Sequence, residues 1–291
     1  MSSFAAPGFV SSGFVAVVTD STACIPPNLA VSRGVRVVQQ QLRIGEETDD
    51  EARVPGERIV TALRDREDVA TAAPDAGAFF WTYADAIDQG ATAIVSLHIS
   101  SRMSETCRAA KEAAQATKVP VHVLDSGTLG MSLGFAVLAA ARVAQAGGEL
   151  GQVLAIAGVR IARSTELLHV ESLEYLRRGG RIGAAAHLIG NAFGIRPMLT
   201  VRHGEVEPLE RNVGAERALR RMVDKAVSVA GGRPVDLAVE HIGADDRVAG
   251  VLDVLRRRVT NVKELLPVPV TSIITAHVGP GAIGITISPS V

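Results

Sequence analysis

Four hydroxyl side chains follow an apolar run over residues 93–99 and are the first candidates for chemistry: Ser100, Ser101, Ser104 and Thr106. The run is rich in β-branched residues, which predicts a buried strand, and the segment after it predicts a helix to about residue 117. A helix N-terminus presents free backbone N–H groups and favours negative charge. One hydroxyl is enough to cap a helix. The sequence therefore leaves two interpretations open, a helix cap and a pocket for a carboxylate or phosphate.

Polar residues also follow two other predicted strands. The segment 19–22, Thr-Asp-Ser-Thr, comes after a strand predicted over residues 14–18, and Asp125 and Ser126 come after one over residues 120–124. Strands here alternate with helices, which predicts a mainly parallel sheet. Ligands of such sheets bind outside the carboxyl ends of the strands. We therefore expect these segments and the turn over residues 100–106, the serine turn, to form one hydroxyl-rich rim at the carboxyl edge of the sheet.

Two further residues with useful chemistry lie in glycine-rich segments. His277 is placed in a turn between strands predicted over 270–275 and 282–287, where a lone histidine is either structural or a hydrogen-bonding group. Arg181 stands between Gly179-Gly180 and Gly183. It follows a short predicted helix whose last two residues, Arg177 and Arg178, complement the helix dipole. A guanidinium at such a place can bind a carboxylate or phosphate through two hydrogen bonds.

Several motifs of metal and nucleotide chemistry are missing from the sequence. It has no Gly-Lys-Ser/Thr phosphate loop, no His-Glu-x-x-His and no paired Cys-x-x-Cys. Residues 279–284 match Gly-x-Gly-x-x-Gly, but the residues that follow predict a strand, whereas a dinucleotide site needs a helix. We therefore expect no metal site and no cofactor.

Composition narrows the class of protein. The chain has 291 residues, of which 47% are hydrophobic, so two domains are expected. A net charge of −1 gives no drive toward nucleic acid. The two cysteines do not have the spacing of a disulfide scaffold or of a metal site. The first basic residue is Arg33, so we expect no basic region of a signal peptide. The most apolar run, 129–141, is too short to span a bilayer. These features predict a cytoplasmic protein.

The element pattern changes after Gly147 and Gly148, which mark the predicted boundary between two domains. Residues 1–150 predict an N-terminal α/β domain with a mainly parallel sheet. Residues 151–291 predict a C-terminal α+β domain in which helices cover a mostly antiparallel sheet, with a hairpin turn near residue 203 and a helix over 184–193. The predicted fold class is therefore α/β with two domains.

Taken in order, these segments resemble the DegV family, which includes the fatty-acid-binding subunits of bacterial fatty acid kinase. The resemblance covers nearly the whole chain. It is carried by four segments: Thr19-Asp20-Ser21-Thr22, Ser100-Ser101-x-x-Ser104-x-Thr106, Leu-Glu-Tyr-Leu-x-x-Gly-Gly-Arg-Ile-Gly over 173–183, and His277-Val278-Gly279-Pro280-Gly281.

The resemblance implies which residues meet a ligand. In the family pattern one fatty acid would be bound between the two domains, with its carboxylate held by Thr71, by Ser100 or Ser101, and by His277. Supporting positions of the pocket would be Asp20, Ser21, Gly279 and Gly281. The chain departs from the pattern after Thr71, where two alanines replace Ser-Gln, and also at Glu105, which replaces glycine, and Cys107, which replaces tyrosine.

The function implied by the resemblance is that of a lipid carrier and not of a free-standing enzyme. It would present a long-chain fatty acid to an ATP-dependent kinase subunit for acyl-phosphate formation, with Arg181 serving the kinase encounter or the phosphoryl group. Transient membrane contact is compatible with this function. Two alternatives stay open: a serine esterase using Ser100 or Ser101 with His277, and a lipid-binding sensor without a kinase.

Overall fold

Three β-sheets and ten α-helices are formed by the residues that the structure, a computed structural model, describes: 13–188, 195–242 and 245–290. The strands are β1 Phe14–Asp20, β2 Val35–Val38, β3 Gln41–Ile44, β4 Glu47–Asp50, β5 Val69–Ala72, β6 Ala91–His98, β7 Val121–Asp125, β8 Thr165–His169, β9 Ile195–Arg202, β10 Glu205–Val213, β11 Val235–His241, β12 Val262–Pro269 and β13 Ile283–Pro289. The helices are α1 Pro27–Ser32, α2 Gly56–Arg64, α3 Ala76–Asp88, α4 Thr106–Ala114, α5 Gly130–Gln145, α6 Leu150–Arg163, α7 Glu174–Arg178, α8 Ala215–Ala230, α9 Asp245–Arg258 and α10 Ser272–Val278.

The first sheet, sheet A, is parallel throughout and has the strand order β2-β1-β6-β7. Its two central strands are apolar on both faces because helices cover both. Val15 and Val17 pack toward α5 and α6, whereas Ala16 and Val18 pack toward α3 and α4. The parallel α/β arrangement predicted for the first part of the chain is therefore confirmed.

A small antiparallel sheet, sheet B, has the order β4-β3-β5. Strands β3 and β4 form a hairpin. Strand β5 pairs with the other side of β3 and places Thr71 opposite Leu42. Sheet B thus fixes the position of Thr71 through backbone pairing.

The second large sheet, sheet C, has the order β10-β9-β8-β13-β11-β12. All neighbouring strands are antiparallel except β11 and β12. On one face, Leu237 and Val239 pack with α8 and α9. The opposite face, which includes Ala238, turns toward α5. This confirms a mostly antiparallel sheet backed by helices in the second part of the chain.

Helix α5 lies between the two large sheets and is buried along most of its length. Leu133 and Val137 pack against sheet A, whereas Met131 and Phe135 pack in the cluster that includes sheet C. Such all-round burial explains why its sequence is apolar on every side. The domain boundary placed after residue 150 stays a prediction.

The structure corrects the prediction for the segment near residue 270. We predicted a strand over 270–275, but β12 ends at Pro269 and the segment forms α10. The run Val-Thr-Ser-Ile-Ile-Thr has the β-branched composition of a strand. Thr271 has the extended backbone of an N-cap residue, and the Glu51 carboxylate accepts a 2.9 Å hydrogen bond from the Ile273 N–H in the first turn. His277 therefore lies in the last turn of a helix.

Two other helices differ from their predicted bounds. Helix α4 begins at Thr106 and not directly after the strand, because a turn occupies residues 101–103. Its N-cap residue is Glu105, and no side chain caps it, so the capping interpretation of the serines is wrong. Residues 183–188 form a 3₁₀-helix that overlaps the start of the helix predicted over 184–193. The remainder of the predicted helix lies outside the described residues. No helix in the described ranges is long and apolar enough to cross a membrane.

Candidate functional site

A cavity of about 320 Å³ lies where the carboxyl ends of sheet A meet sheet B, α10 and the inner face of sheet C. Its lining is mainly apolar and includes Ile99, Leu168, Leu176, Val201, Ile274 and Val278. The size and the apolar lining are typical of small-molecule sites. Glu105 and Arg181 line the cavity and are exposed, so they mark its mouth, whereas Glu166 and Glu240 line it and are buried.

Thr71 and His277 meet in the lining of this cavity, with 2.8 Å between Thr71 Oγ1 and His277 Nε2. Strand β5 places the threonine and the last turn of α10 places the histidine. Burial, together with the positive charge of Arg181, lowers the pKa of His277 to about 4, so the imidazole is neutral at pH 7. Nδ1 is buried and has no hydrogen-bond partner among the described residues. The neutral ring therefore acts through Nε2 and Thr71.

Arg181 lies beside this pair, at the mouth of the cavity. Its Nε donates a 3.0 Å hydrogen bond to the Met103 carbonyl and Nη1 a 2.7 Å bond to the Gly179 carbonyl. These bonds hold the guanidinium across the gap between the serine turn and the glycine turn after α7. The side chain is nevertheless exposed, so its charge faces solvent at the mouth.

The serine turn contributes a different hydroxyl from those implied by the family pattern. Ser100 is buried and its Oγ donates to the Gly204 carbonyl at 2.8 Å. Ser101 is exposed, and both its N–H and its hydroxyl donate to the Asp125 carboxylate. Neither residue is part of the cavity lining, whereas Ser104 is. The turn over residues 101–103 rotates the first two hydroxyls away and brings the third to the cavity.

Asp20 lies outside the cavity lining and holds several lining residues in place through hydrogen bonds. Its carboxylate accepts hydrogen bonds from the Thr22 N–H at 3.0 Å, from Gln40 Nε2 at 3.1 Å and from the Ile99 N–H at 3.1 Å. Burial raises the pKa of Asp20, but the hydrogen bond and charge of His98 and the other donors outweigh it and lower the pKa. Thr22 and Gln40 line the cavity, so Asp20 positions residues that face a ligand.

The other supporting positions are Ser21, Gly279 and Gly281, which lie outside the cavity lining. The hydroxyl of Ser21 accepts a 3.3 Å hydrogen bond from the Gln40 N–H. Gly279 has a φ of +78°, and a Cβ there would lie 2.2 Å from the Tyr175 ring. The Gly281 carbonyl accepts a 3.0 Å hydrogen bond from Arg247. The structure therefore places these three residues around the cavity wall and outside its lining.

Two buried acids in the lining, Glu166 of β8 and Glu240 of β11, were missed by the sequence analysis. Thr286 Oγ1 lies 2.6 Å from the Glu166 carboxyl group and 2.7 Å from that of Glu240. Burial, followed by the mutual charge of the pair, raises the pKa of Glu166 well above its usual range, and burial also raises the pKa of Glu240. An acid inside an apolar strand was the signal that could have found each of them.

A serine motif also emerges in α5, where Gly130-Met131-Ser132-Leu133-Gly134 matches Gly-x-Ser-x-Gly. In hydrolases this motif forms a sharp turn that exposes the serine. Here Ser132 lies inside a helix, is 1% exposed and donates a 2.8 Å hydrogen bond to the Glu166 carboxyl group. Its environment is that of a structural serine.

Comparison with known proteins gives the family. The model of the DegV family, described as an uncharacterised protein, matches residues 14–290. A DegV domain-containing protein of Streptomyces coelicolor is 40% identical over 275 residues, which cover 94% of this chain and 98% of that protein.

Solved structures agree with this match. A DegV family protein from Thermus thermophilus, described in terms of fatty acid binding, superposes with a TM-score of 0.90 at 29% identity and covers 95% of this chain and 100% of that one. DegV from Bacillus subtilis, described as a fatty acid binding protein, superposes with a TM-score of 0.87 at 25% identity and covers 96% of this chain and 100% of that one. The chain therefore belongs to the DegV family.

Proposed function

We propose that this chain binds one long-chain fatty acid in the cavity and acts as a carrier without catalytic residues of its own. The observation that carries the proposal is the Thr71–His277 pair beside Arg181 at the mouth of an otherwise largely apolar cavity. The descriptions of the T. thermophilus and B. subtilis relatives as fatty-acid-binding support it. The carboxylate lies near the mouth, and the acyl chain extends toward the buried end.

The carboxylate is held mainly by hydroxyl groups. In the proposed arrangement the single ring proton of neutral His277 is on Nε2, because Nδ1 is buried without a partner in the described part of the chain. Nε2–H then donates to Thr71 Oγ1, and the Thr71 hydroxyl is oriented to donate its proton to the carboxylate. Ser104 supplies a second hydroxyl from the turn. Under this proposal His277 orients Thr71, and Ser104 takes the role that the family pattern assigns to Ser100 or Ser101. The buried chain supplies most of the affinity, at about 0.8 kcal/mol per CH₂ group.

Analysis of what leaves the protein on denaturation tests the proposal directly. We expect organic extraction followed by mass spectrometry to recover up to one long-chain fatty acid per chain. Delipidated protein should take up added palmitate or oleate saturably. Repeated extraction without any fatty acid, combined with no saturable uptake, would show that the cavity serves another ligand.

The bound acid is presented to an ATP-dependent kinase subunit, which phosphorylates its carboxylate. The exposed position of Arg181 at the mouth supports this step, since a guanidinium binds phosphoryl oxygens well. Acyl-phosphate formation requires the kinase, ATP and the loaded protein together, and trapping with hydroxylamine measures it. A lipid-binding sensor would hold the acid equally well but would yield no acyl phosphate with the kinase subunit of its own organism.

The esterase alternative receives no support from the geometry of the serines. A nucleophilic serine needs a hydrogen bond to a base. The Ser100 hydroxyl donates to a carbonyl, Ser101 binds Asp125, and the Nε2 atom of His277 pairs with Thr71. Hydrolysis of a p-nitrophenyl ester that disappears in Ser100→Ala or Ser101→Ala would revive this alternative.

A further inference from the structure

The buried end of the cavity is polar, although the rest of its lining is mainly apolar. Glu166 and Glu240 are 8% and 3% exposed and line this end together with Gly284. In the antiparallel ladder, Gly284 lies opposite both Glu240 and Leu168, and Thr286 lies opposite Glu166. A Cβ at Gly284 would lie 3.3 Å from Glu166 Oε1 and 3.3 Å from Glu240 Cβ. Gly284 therefore packs closely against the acid pair, and all three residues line the cavity.

The hydrogen bonds at the pair require a shared proton. Thr286 Oγ1 contacts one oxygen of Glu166 at 2.6 Å and one of Glu240 at 2.7 Å, but a hydroxyl has one hydrogen and can donate to only one of them. The other contact is a hydrogen bond only if a carboxyl group donates to the hydroxyl. At least one of the two acids is therefore protonated.

Of the two acids, Glu240 has the surroundings that favour a negative charge. Its Oε1 accepts a 2.9 Å hydrogen bond from the Met131 N–H in the first turn of α5, where the helix dipole favours an anion. The close approach depends on Gly130, since a Cβ there would lie 2.5 Å from Glu240 Oε1. Glu166 then keeps the proton and donates it to Thr286, which donates to Glu240. The pair therefore carries at most one net negative charge at the buried end of the cavity, and that charge lies on Glu240.

A plain methylene chain is a poor partner for this end. Packing CH₂ groups against a buried anion removes water from the anion and returns no hydrogen bond. A hydroxyl group on the chain would donate to the acid pair and replace that water. Chains that reach the pair should therefore be favoured when they carry a hydroxyl at the matching carbon.

We propose that the cavity selects hydroxylated fatty acids, with the chain hydroxyl bound by Glu166 and Glu240. This inference rests on the proposed function, because it assumes that an acyl chain occupies the cavity. It adds the chemical class of the ligand and assigns a specificity role to two residues away from the carboxylate.

A binding series on the wild-type protein tests the inference. Delipidated protein is titrated with stearate and with hydroxystearates that carry the hydroxyl at successive carbons from the middle of the chain to its end. We expect at least one isomer to bind about 10- to 100-fold more tightly than stearate, as for one hydrogen bond to a charged group. Stearate binding without preference for any isomer would overturn this inference and leave the proposed function standing. Failure of every acid to bind would overturn both.

Variants show whether the acid pair causes the preference. Glu240→Gln keeps the shape but removes the charge, so we expect the advantage of the preferred isomer to fall to about threefold or less. Glu57→Gln is the matched control, since it removes an exposed acid outside the cavity lining and should leave the preference unchanged. Glu166→Gln keeps a hydrogen-bond donor to Thr286 and the carboxylate of Glu240, so it should retain the preference. Glu240→Met, which also lacks the carboxyl group, replaces Glu240→Gln if the latter does not fold. An unchanged preference in a folded Glu240 variant would overturn the assignment.

Discussion

At the scale of single residues, the site depends on how burial changes the chemistry of His277. A histidine near a carboxylate usually gains charge, but here burial and Arg181 keep the ring neutral, with a pKa lowered to about 4. A neutral ring cannot pair ionically with a fatty acid. It can orient the Thr71 hydroxyl, and this makes Thr71 the residue that contacts the carboxylate in the proposed function.

Replacing the threonine hydroxyl should weaken binding without disturbing the fold. Thr71→Val keeps the shape of the side chain and removes one hydrogen bond to the ligand, so we expect fatty acid affinity to fall about 3- to 10-fold. Ser101→Ala is the control, because Ser101 binds Asp125 and lies outside the cavity lining. Titration with a fluorescent fatty acid measures both. Equal losses in the two variants would contradict the assignment of Thr71.

The pKa of His277 predicts how stability changes with pH. The folded value of about 4 lies below the ordinary value of 6.5, so the unfolded chain binds more protons between these values and stability falls as the pH falls from 6.5 to 4. His277→Gln removes this contribution. Between pH 7 and pH 5 we expect ligand-free wild type to lose about 1–2 kcal/mol more than the variant in urea unfolding. Parallel losses would show that His277 does not titrate in this way.

At the scale of elements, α10 connects sheet B to the head-group site. Ile273 of this helix packs in the cluster of Ile59 and Leu63, and the buried Glu51 carboxylate accepts the N–H of Ile273 at 2.9 Å. The helix carries His277 in its last turn, so its position decides where the imidazole meets Thr71.

Removing the carboxylate that binds the start of α10 should affect both stability and binding. Glu51→Ala leaves a buried N–H without its partner, so we expect the free energy of unfolding to fall by about 1–3 kcal/mol. Fatty acid affinity should fall as well, because α10 carries His277. Glu57→Ala in the exposed first turn of α2 serves as the control. A stable Glu51→Ala protein with unchanged affinity would show that packing alone positions the helix.

At the scale of the whole molecule, the cavity exists because two sheets are joined through one buried helix. Strands β1 and β6 bring the rim from sheet A, β8, β11 and β13 bring the acid pair from sheet C, and α5 contacts both sheets. The buried ion pair between Arg160 of α6 and Asp236 of β11, at 2.8 Å, joins α6 to sheet C. Among the described lining residues, the exposed charged side chains are Arg181 and Glu105, at the mouth of the cavity.

Arg181→Ala tests the encounter with the proposed kinase subunit. We expect fatty acid affinity and the thermal midpoint to be retained, because the proposed function assigns the carboxylate to Thr71 and Ser104, while kinase-dependent acyl-phosphate formation falls. Arg177→Ala should have a smaller effect, since Arg177 is exposed and paired with Glu174 at 2.8 Å. Because Arg181 also binds the Met103 and Gly179 carbonyls, a marked loss of stability would assign it a structural role. Full kinase-dependent activity would remove it from the proposed function.

The sequence by itself determined the elements whose signal is local. Alternation of apolar strands with helices predicted sheet A. The apolar run over residues 129–141 lies in the buried helix α5, and the Asp75 carboxylate accepts the Ala78 N–H at 2.7 Å at the start of α3. These features depend on composition and on contacts between residues close in the chain. The order of the motifs along the chain is also a property of the sequence itself, and it was sufficient to identify the family.

Tertiary structure decided what depends on distant partners. The β-branched run after Val270 became a helix because Glu51, 222 residues away, accepts the N–H of Ile273. Ser104 and not Ser100 reached the cavity because the carbonyl of Gly204 binds the Ser100 hydroxyl. Glu166 and Glu240 formed a pair because β13 lies between their strands and places Thr286 within hydrogen-bond distance of both. Each outcome was set by which groups the fold brings within a few ångströms, and spacing along the chain does not encode that distance.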